Sequence, residues 1–310
     1  MTAGSQRDAG ASVRQRLLDH AKRHGDDYLR VLTRYAIERL LFRLGQAAAA
    51  ERYVLKGAML FLTWPEHAYR PTGDLDLLGE GDPEPSVIAD LFSGICRIAC
   101  PEEGIAFDVR TIQVEPTREA ETYRGVRLRL VGELAKARIP IQVDIGFGDH
   151  VFPAPRRQTF PGLLPGLPLP NILMYPPETV VAEKFEAMIR FAEGNSRVKD
   201  FHDIWVTSRT FRFELPVLVE AMLGTLRRRG TATPTATPVA LTDDFAMQVE
   251  DRGLWSGFLR RNPPAQLPPP FAQVQDDLRQ FFGPVIASLA LPEAAKGRWD
   301  PTSATWLPIE

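Results

Sequence analysis

Arg70-Pro71-Thr72-Gly73-Asp74-Leu75-Asp76-Leu77-Leu78-Gly79 places two acids one residue apart, then an apolar run closed by glycine. Alternate side chains of a strand share a face. The stretch therefore predicts a strand with Asp74 and Asp76 on one side and Leu75 and Leu77 in the core. Two carboxylates held this close repel unless a cation sits between them. Hard oxygen ligands of this kind suit Mg2+ or Mn2+, with phosphate oxygens completing the shell. The plainer reading is an exposed strand end bearing two solvated acids, because the D-x-D tripeptide is common.

A third acid on a second strand favours the metal-phosphate reading. In Ile139-Pro140-Ile141-Gln142-Val143-Asp144-Ile145-Gly146-Phe147, the apolar residues alternate with Gln142, Asp144 and Gly146. That is strand periodicity, and it sets Asp144 opposite a row of apolar side chains. One D-x-D strand plus one single-Asp strand is a layout for two-metal phosphoryl or nucleotidyl transfer. Asp108 is a rival third carboxylate, but Arg110 follows two positions later, so a surface ion pair is its expected role.

The chain has 310 residues, 44% hydrophobic and 25% charged, enough for a sizeable core in one large domain or two. Its net charge of −2 provides no global basic field, so any nucleic-acid contact must use a local patch. The two cysteines, Cys96 and Cys100, lack further Cys or nearby His to form a zinc site, and read as buried thiols. No run approaches the roughly 18 apolar residues of a membrane span, and the chain reads as cytoplasmic. The G-x-S-x-G, H-E-x-x-H and G-x-x-x-x-G-K-[ST] patterns do not occur, which removes the corresponding hydrolase, metalloprotease and P-loop readings.

Residues 1–27 read as a frayed start and first helix, and 28–152 as an α/β domain. A proline-rich crossing segment occupies 153–177, and a mostly helical half occupies 178–310. Within Tyr28–Leu44 the apolar spacing is helical, and Gly45 is a plausible stop. The charged side of that helix, Arg30, Arg34, Arg39 and Arg43 against Glu38, reads either as a solvated face or as a track for a phosphate backbone. Strands are expected at 105–114, 125–134 and 139–147, with a turn at Tyr123-Arg124-Gly125. Helices are expected at 84–100, from Pro177, and at about 197–209. Further amphipathic pieces lie at 243–260 and 271–290.

Lys184 falls within an apolar helical stripe through Val180, Val181, Phe185 and Met188. A lysine there either snorkels outward or meets an anion, such as a triphosphate. Downstream, in Arg197-Val198-Lys199-Asp200-Phe201-His202-Asp203, Asp200 and Asp203 share one helix face. They could cap the helix and pair with Arg197 or Lys199, or they could orient Lys184.

The order of these pieces resembles the AbiEii/AbiGii nucleotidyltransferase toxin family, which includes the mycobacterial MenT toxins. The resemblance runs through Arg34-Tyr35-Ala36-Ile37-Glu38-Arg39-Leu40-Leu41, Val54-Leu55-Lys56-Gly57-Ala58-Met59-Leu60, the Asp74 stretch, Val143-Asp144-Ile145-Gly146-Phe147-Gly148-Asp149, Ala182-Glu183-Lys184 and the Arg197–Asp203 segment. It implies a polymerase-beta-like nucleotidyltransferase fold with a mixed sheet, then a helical C-terminal half. It also implies transfer of a nucleoside monophosphate from an NTP with release of pyrophosphate, to tRNA in MenT-like members, and a cognate antitoxin. By position, Asp74, Asp76 and Asp144 match the metal carboxylates and Thr72 the Ser/Thr of the first motif. Lys184 matches the motif lysine. Asp200 and Asp203 match a later acidic segment, with Asp200 the preferred essential acid. Gly57, Ala58, Thr72 and Lys184 would hold the nucleotide. Many nucleotidyltransferases carry a hydroxyl residue where this chain has Gly57-Ala58-Met59, so Thr72 would compensate. Two alternatives remain at this level: a small-molecule, aminoglycoside-type nucleotidyltransferase, and an inactive homologue that binds RNA or protein.

Overall fold

The computed structural model describes residues 3–64, 72–117, 125–191, 197–263 and 267–309. Arg70 and Pro71 of the opening stretch, Tyr123 and Arg124 of the expected turn, and Pro264 lie outside these. Two compact units divide the chain. The first comprises 1–63, 71–148 and 156–174, and the second 64–70, 149–155 and 175–310.

The first unit opens with helices α1 (Ala3–His24) and α2 (Tyr28–Gln46). Helix α1 begins at Ala3, where fraying was expected. Asp27 starts α2 by accepting a hydrogen bond from the Arg30 amide at 2.9 Å, which satisfies one donor of the first turn. Gly45 does not stop α2 but lies within its last turn. A Cβ there would come 2.9 Å from the Asn171 carbonyl oxygen, so the glycine serves a close backbone approach.

The remaining elements of this unit are β1 (Tyr53–Lys56), β2 (Asp74–Gly79), α3 (Pro85–Cys96), β3 (Ile105–Pro116), β4 (Gly125–Leu134), β5 (Ala137–Phe147), β6 (Arg156–Thr159) and β7 (Asn171–Met174). They build a mixed sheet in the order β3-β4-β5-β2-β1-β7-β6. Strand β2 runs parallel to β5 and antiparallel to β1. Leu55, Leu75, Leu77, Leu128, Val143 and Ile145 are buried, while the alternate positions carry the polar side chains. Burying each such apolar side chain contributes about 1.5–3 kcal/mol relative to exposure. Helix α2 packs on β5, and α3 on β3. The proline-rich stretch is more than a crossing segment, since its proline-free tetrapeptides form β6 and β7. The prolines fall outside both strands, where no ladder amide is lost.

The basic side of α2 is partly internal. Arg39 is fully buried and donates to Glu38 Oε1 at 2.5 Å, Glu103 Oε1 at 3.0 Å and the Pro168 carbonyl at 2.9 Å. Arg43, also buried, donates to Glu103 Oε2 and to the Ile98 carbonyl at 3.1 Å. The expected phosphate track therefore loses Arg39 and Arg43, because buried carboxylates already hold both guanidiniums. Cys96 and Cys100 are free and buried, and burial pushes the Cys96 thiol up to about 12.

The second unit contains α4 (Pro177–Phe191), α5 (Val198–Thr210), β8 (Phe213–Glu214), α6 (Leu215–Arg229), α7 (Asp243–Asp251), α8 (Leu254–Arg261), α9 (Phe271–Leu289), β9 (Arg298–Asp300) and β10 (Thr305–Leu307). It is the mostly helical C-terminal half expected from the sequence. An aromatic core fills it: the rings of Phe201 and Phe245 stack with centroids 5.5 Å apart, and Phe271 packs edge-on against Phe201 at 5.1 Å. A small β10-β9-β8 sheet was not expected. It is held in place by buried Trp299, whose indole N–H donates to the Ser208 carbonyl at 2.6 Å. No helix among the described residues is long and apolar enough to cross a membrane.

Candidate functional site

Asp74 and Asp76 stand on the polar face of β2, alternating with buried Leu75 and Leu77. The register pairs Asp76 with Asp144 across the β2–β5 ladder and Asp74 with Gln142. The same row continues to both sides: Lys56 on β1 pairs with Asp76, and Arg127 on β4 pairs with Asp144. Lys56, Asp76, Asp144 and Arg127 thus form a cation–acid–acid–cation row across four adjacent strands.

Gly57 follows β1 with φ of 71°, a left-handed conformation that glycine adopts without penalty. A Cβ at Gly57 would overlap the Asp76 carboxylate. The backbone therefore sits directly against that acid, with Ala58 buried next to it. Thr72 is partly exposed, and its hydroxyl lies a long 3.5 Å from the Asp74 carbonyl.

Arg127 donates from Nε to Asp144 Oδ1 at 2.7 Å and from a terminal nitrogen to Oδ2 at 2.9 Å. Gln142 adds a 3.3 Å contact to Oδ2. The Asp144 hydrogen bonds, with the fields of Asp144 and Asp74 behind them, hold Arg127 above its ordinary value against the effect of burial. Asp108 takes the expected surface pair, with Arg110 Nε at 2.9 Å. That hydrogen bond holds the Asp108 carboxyl below its ordinary value.

The donor set and the Gly57 cradle suit a hard divalent cation: three carboxylates share one face, and hard oxygen ligands are what Mg2+ takes. The three do not gather within 4.8 Å of one another. Among the described residues, only His20, His24 and Asp26, at the exposed end of α1, form a group that tight. On the Asp144 side, Arg127 engages both carboxylate oxygens from β4.

In the second unit, Lys184 neither snorkels nor stands alone. Its ammonium donates to Asp200 Oδ1 at 2.9 Å and to Asp203 Oδ2 at 2.7 Å. Both acids are buried, whereas the Lys184 side chain keeps 16% exposure. Arg197 Nε donates to the other Asp200 oxygen at 2.7 Å. Asp200 is not the helix cap: Arg197 occupies that position, with no side-chain cap bond. Burial pushes the Asp200 carboxyl up, but Lys184 and Arg197 outweigh it and hold it below its ordinary value.

Glu183, one residue before Lys184, belongs to a different cluster. Arg229 lies 3.3 Å from Glu183 Oε1, 2.8 Å from Glu186 Oε2 and 3.6 Å from Asp149 Oδ1. The Tyr175 hydroxyl lies 3.2 Å from Asp149 and 3.3 Å from Glu183. Burial first, then Glu183 and Asp149, raise Tyr175 well above the ordinary tyrosine value. Sequence reasoning missed Arg127, Lys56 and this Arg229 cluster. Arg127 carried one usable signal, a cation within the alternating run Val126-Arg127-Leu128-Arg129, but its partner depended on strand order.

The class of the protein is nucleotidyltransferase: residues 39–277 match the family described as nucleotidyl transferase AbiEii toxin, type IV TA system. The match spans well over half of the chain, and the chain belongs to that family. No curated protein matches it in sequence. Two solved structures from Helicobacter pylori resemble it. One is provisionally assigned as a nucleotidyltransferase, at 12% identity and a TM-score of 0.40, covering 81% of this chain and 88% of its own. The other is JHP933, at 13% identity and a TM-score of 0.39, covering 81% and 86%.

Proposed function

We propose that this toxin transfers a nucleoside monophosphate from an NTP to a tRNA end, releasing pyrophosphate. The observation that carries the reading is the Asp76–Asp144 register, with Asp74 on the same face. In this reading, an acceptor hydroxyl oxygen attacks the α-phosphorus. The bond from that phosphorus to the α,β-bridging oxygen breaks, and pyrophosphate leaves with the electron pair. Asp144 takes the hydroxyl proton. Asp74, Asp76 and Asp144 would hold Mg2+ or Mn2+, which supplies Lewis-acid stabilisation of the charge that develops on the phosphoryl oxygens.

Gly57 and Ala58 would present backbone to the nucleotide, and Thr72 its hydroxyl. Lys184 enters by family resemblance as a triphosphate contact, with Asp200 and Asp203 fixing its ammonium. A cognate antitoxin is the expected protein partner. The loss of Arg39 and Arg43 from the basic surface favours one second reading, a small-molecule acceptor.

The test incubates purified protein with each NTP radiolabelled at the α-phosphate, Mg2+ and total tRNA. Label in tRNA, dependent on metal and on Asp74, supports the reading. Label in a small acceptor only would replace it with the second reading. No transfer from any NTP to either acceptor class overturns both.

A further inference from the structure

We propose that Arg127 is a phosphate-binding residue stored on Asp144. Its guanidinium engages the carboxylate that the metal site requires, and with metal and nucleotide bound it passes to a phosphoryl oxygen. This rests on the reading of Asp74, Asp76 and Asp144 as the metal site.

Three observations carry it. First, the contact is bidentate, at 2.7 and 2.9 Å, so both Asp144 oxygens are taken. A guanidinium fork fits a phosphoryl group with the same planar geometry it uses for a carboxylate. Second, the pair is accessible, with Arg127 37% and Asp144 25% exposed. Water reaches both partners and screens their attraction, which lowers the cost of exchanging partners. Third, two cations, Lys56 and Arg127, share this face with three acids, Asp74, Asp76 and Asp144. A divalent charge between the acids would make the row cationic and drive Arg127 toward an anion. Gln142 remains on Asp144 Oδ2 at 3.3 Å, so the carboxylate keeps an orienting contact when Arg127 leaves.

The test titrates Mn2+ without nucleotide, following free Mn2+ by electron paramagnetic resonance. It compares the full wild-type chain with Arg127→Gln, Arg127→Lys and Asp144→Asn, each checked by circular dichroism. Arg127→Gln should bind Mn2+ roughly 1.5- to fivefold more tightly, the range expected when a competing, partly exposed ion pair is removed. Its KM for NTP should rise. Arg127→Lys, which cannot hold both oxygens, should fall between Gln and wild type in Mn2+ affinity. Unchanged or weaker Mn2+ binding in Arg127→Gln, with Asp144→Asn clearly weakened, would overturn the Arg127 proposal alone. Unchanged Mn2+ binding in Asp144→Asn would overturn the metal-site reading beneath it, and the proposal with it.

Discussion

Asp76 on β2 and Asp144 on β5 are register partners on neighbouring parallel strands, with Gly57 pressed against the first acid and Arg127 holding the second. Each acid is thus fixed by a different neighbour, and the two should respond differently to substitution.

Asp74→Ala and Asp76→Ala should each reduce nucleotidyl transfer on the order of 10³-fold or more, since a metal carboxylate acts in the transition state. Both side chains lie on the polar face, so thermal unfolding should stay close to wild type. Near-normal labelling by a well-folded Asp74→Ala protein would count decisively against the assignment.

Gly57→Ala should lose activity by displacing Asp76. The added Cβ meets the carboxylate, and φ of 71° adds about 1 kcal/mol or more of backbone strain. The measurement is paired: Mn2+ affinity should fall along with kcat. Full activity in Gly57→Ala would show that the close approach is not needed.

Asp200→Asn should destabilise the protein by about 1.5–3 kcal/mol at neutral pH, because Lys184 loses one of its two buried acids and keeps Asp203, while Arg197 loses its carboxylate. The effect has a pH signature. The folded-state pKa of Asp200 lies below 3.8, so its contribution is fully present above 3.8 and is lost as pH falls through the folded value. The stability gap between wild type and Asp200→Asn should therefore narrow below pH 3.8, as followed by denaturant unfolding across pH. A gap independent of pH would contradict this account.

Glu103→Ala should also cost about 3–5 kcal/mol, since it takes the carboxylate from the buried Arg43 guanidinium and leaves Arg39 with Glu38 and the Pro168 carbonyl. This is a prediction about folding, measured by urea midpoint. Loss of RNA labelling without loss of stability would return these arginines to the surface track.

Arg156→Glu with Arg157→Glu should reduce tRNA labelling while NTP binding stays unchanged. Arg156 lies on exposed β6, whereas Arg157 already contacts Glu51 and the Asn171 carbonyl at 2.7 Å. Arg156 should therefore dominate the loss. Transfer should also fall steeply with salt, as counterion release requires. Salt-independent transfer, unaffected by the charge reversal, points to a small-molecule acceptor.

The sequence by itself determined the strands around Asp74, Asp76 and Asp144 and the inward turn of their apolar neighbours, because period-two alternation is a local property of the chain. It also determined the helices that carry Lys184, Asp200 and Asp203, whose apolar spacing is equally local. Only the tertiary structure decided which charges meet. Strand order brought Arg127 to Asp144, although neither residue's own strand pattern specifies a partner. The packing of α2 placed Arg39 and Arg43 against Glu103, 64 and 60 residues away, so a face that reads as solvated became a buried ion-pair cluster. The packing of α4 on α5 settled the open choice at Lys184 in favour of a buried pair of acids. Pair energies depend on distance and burial, and neither is encoded in the spacing of residues along a single element.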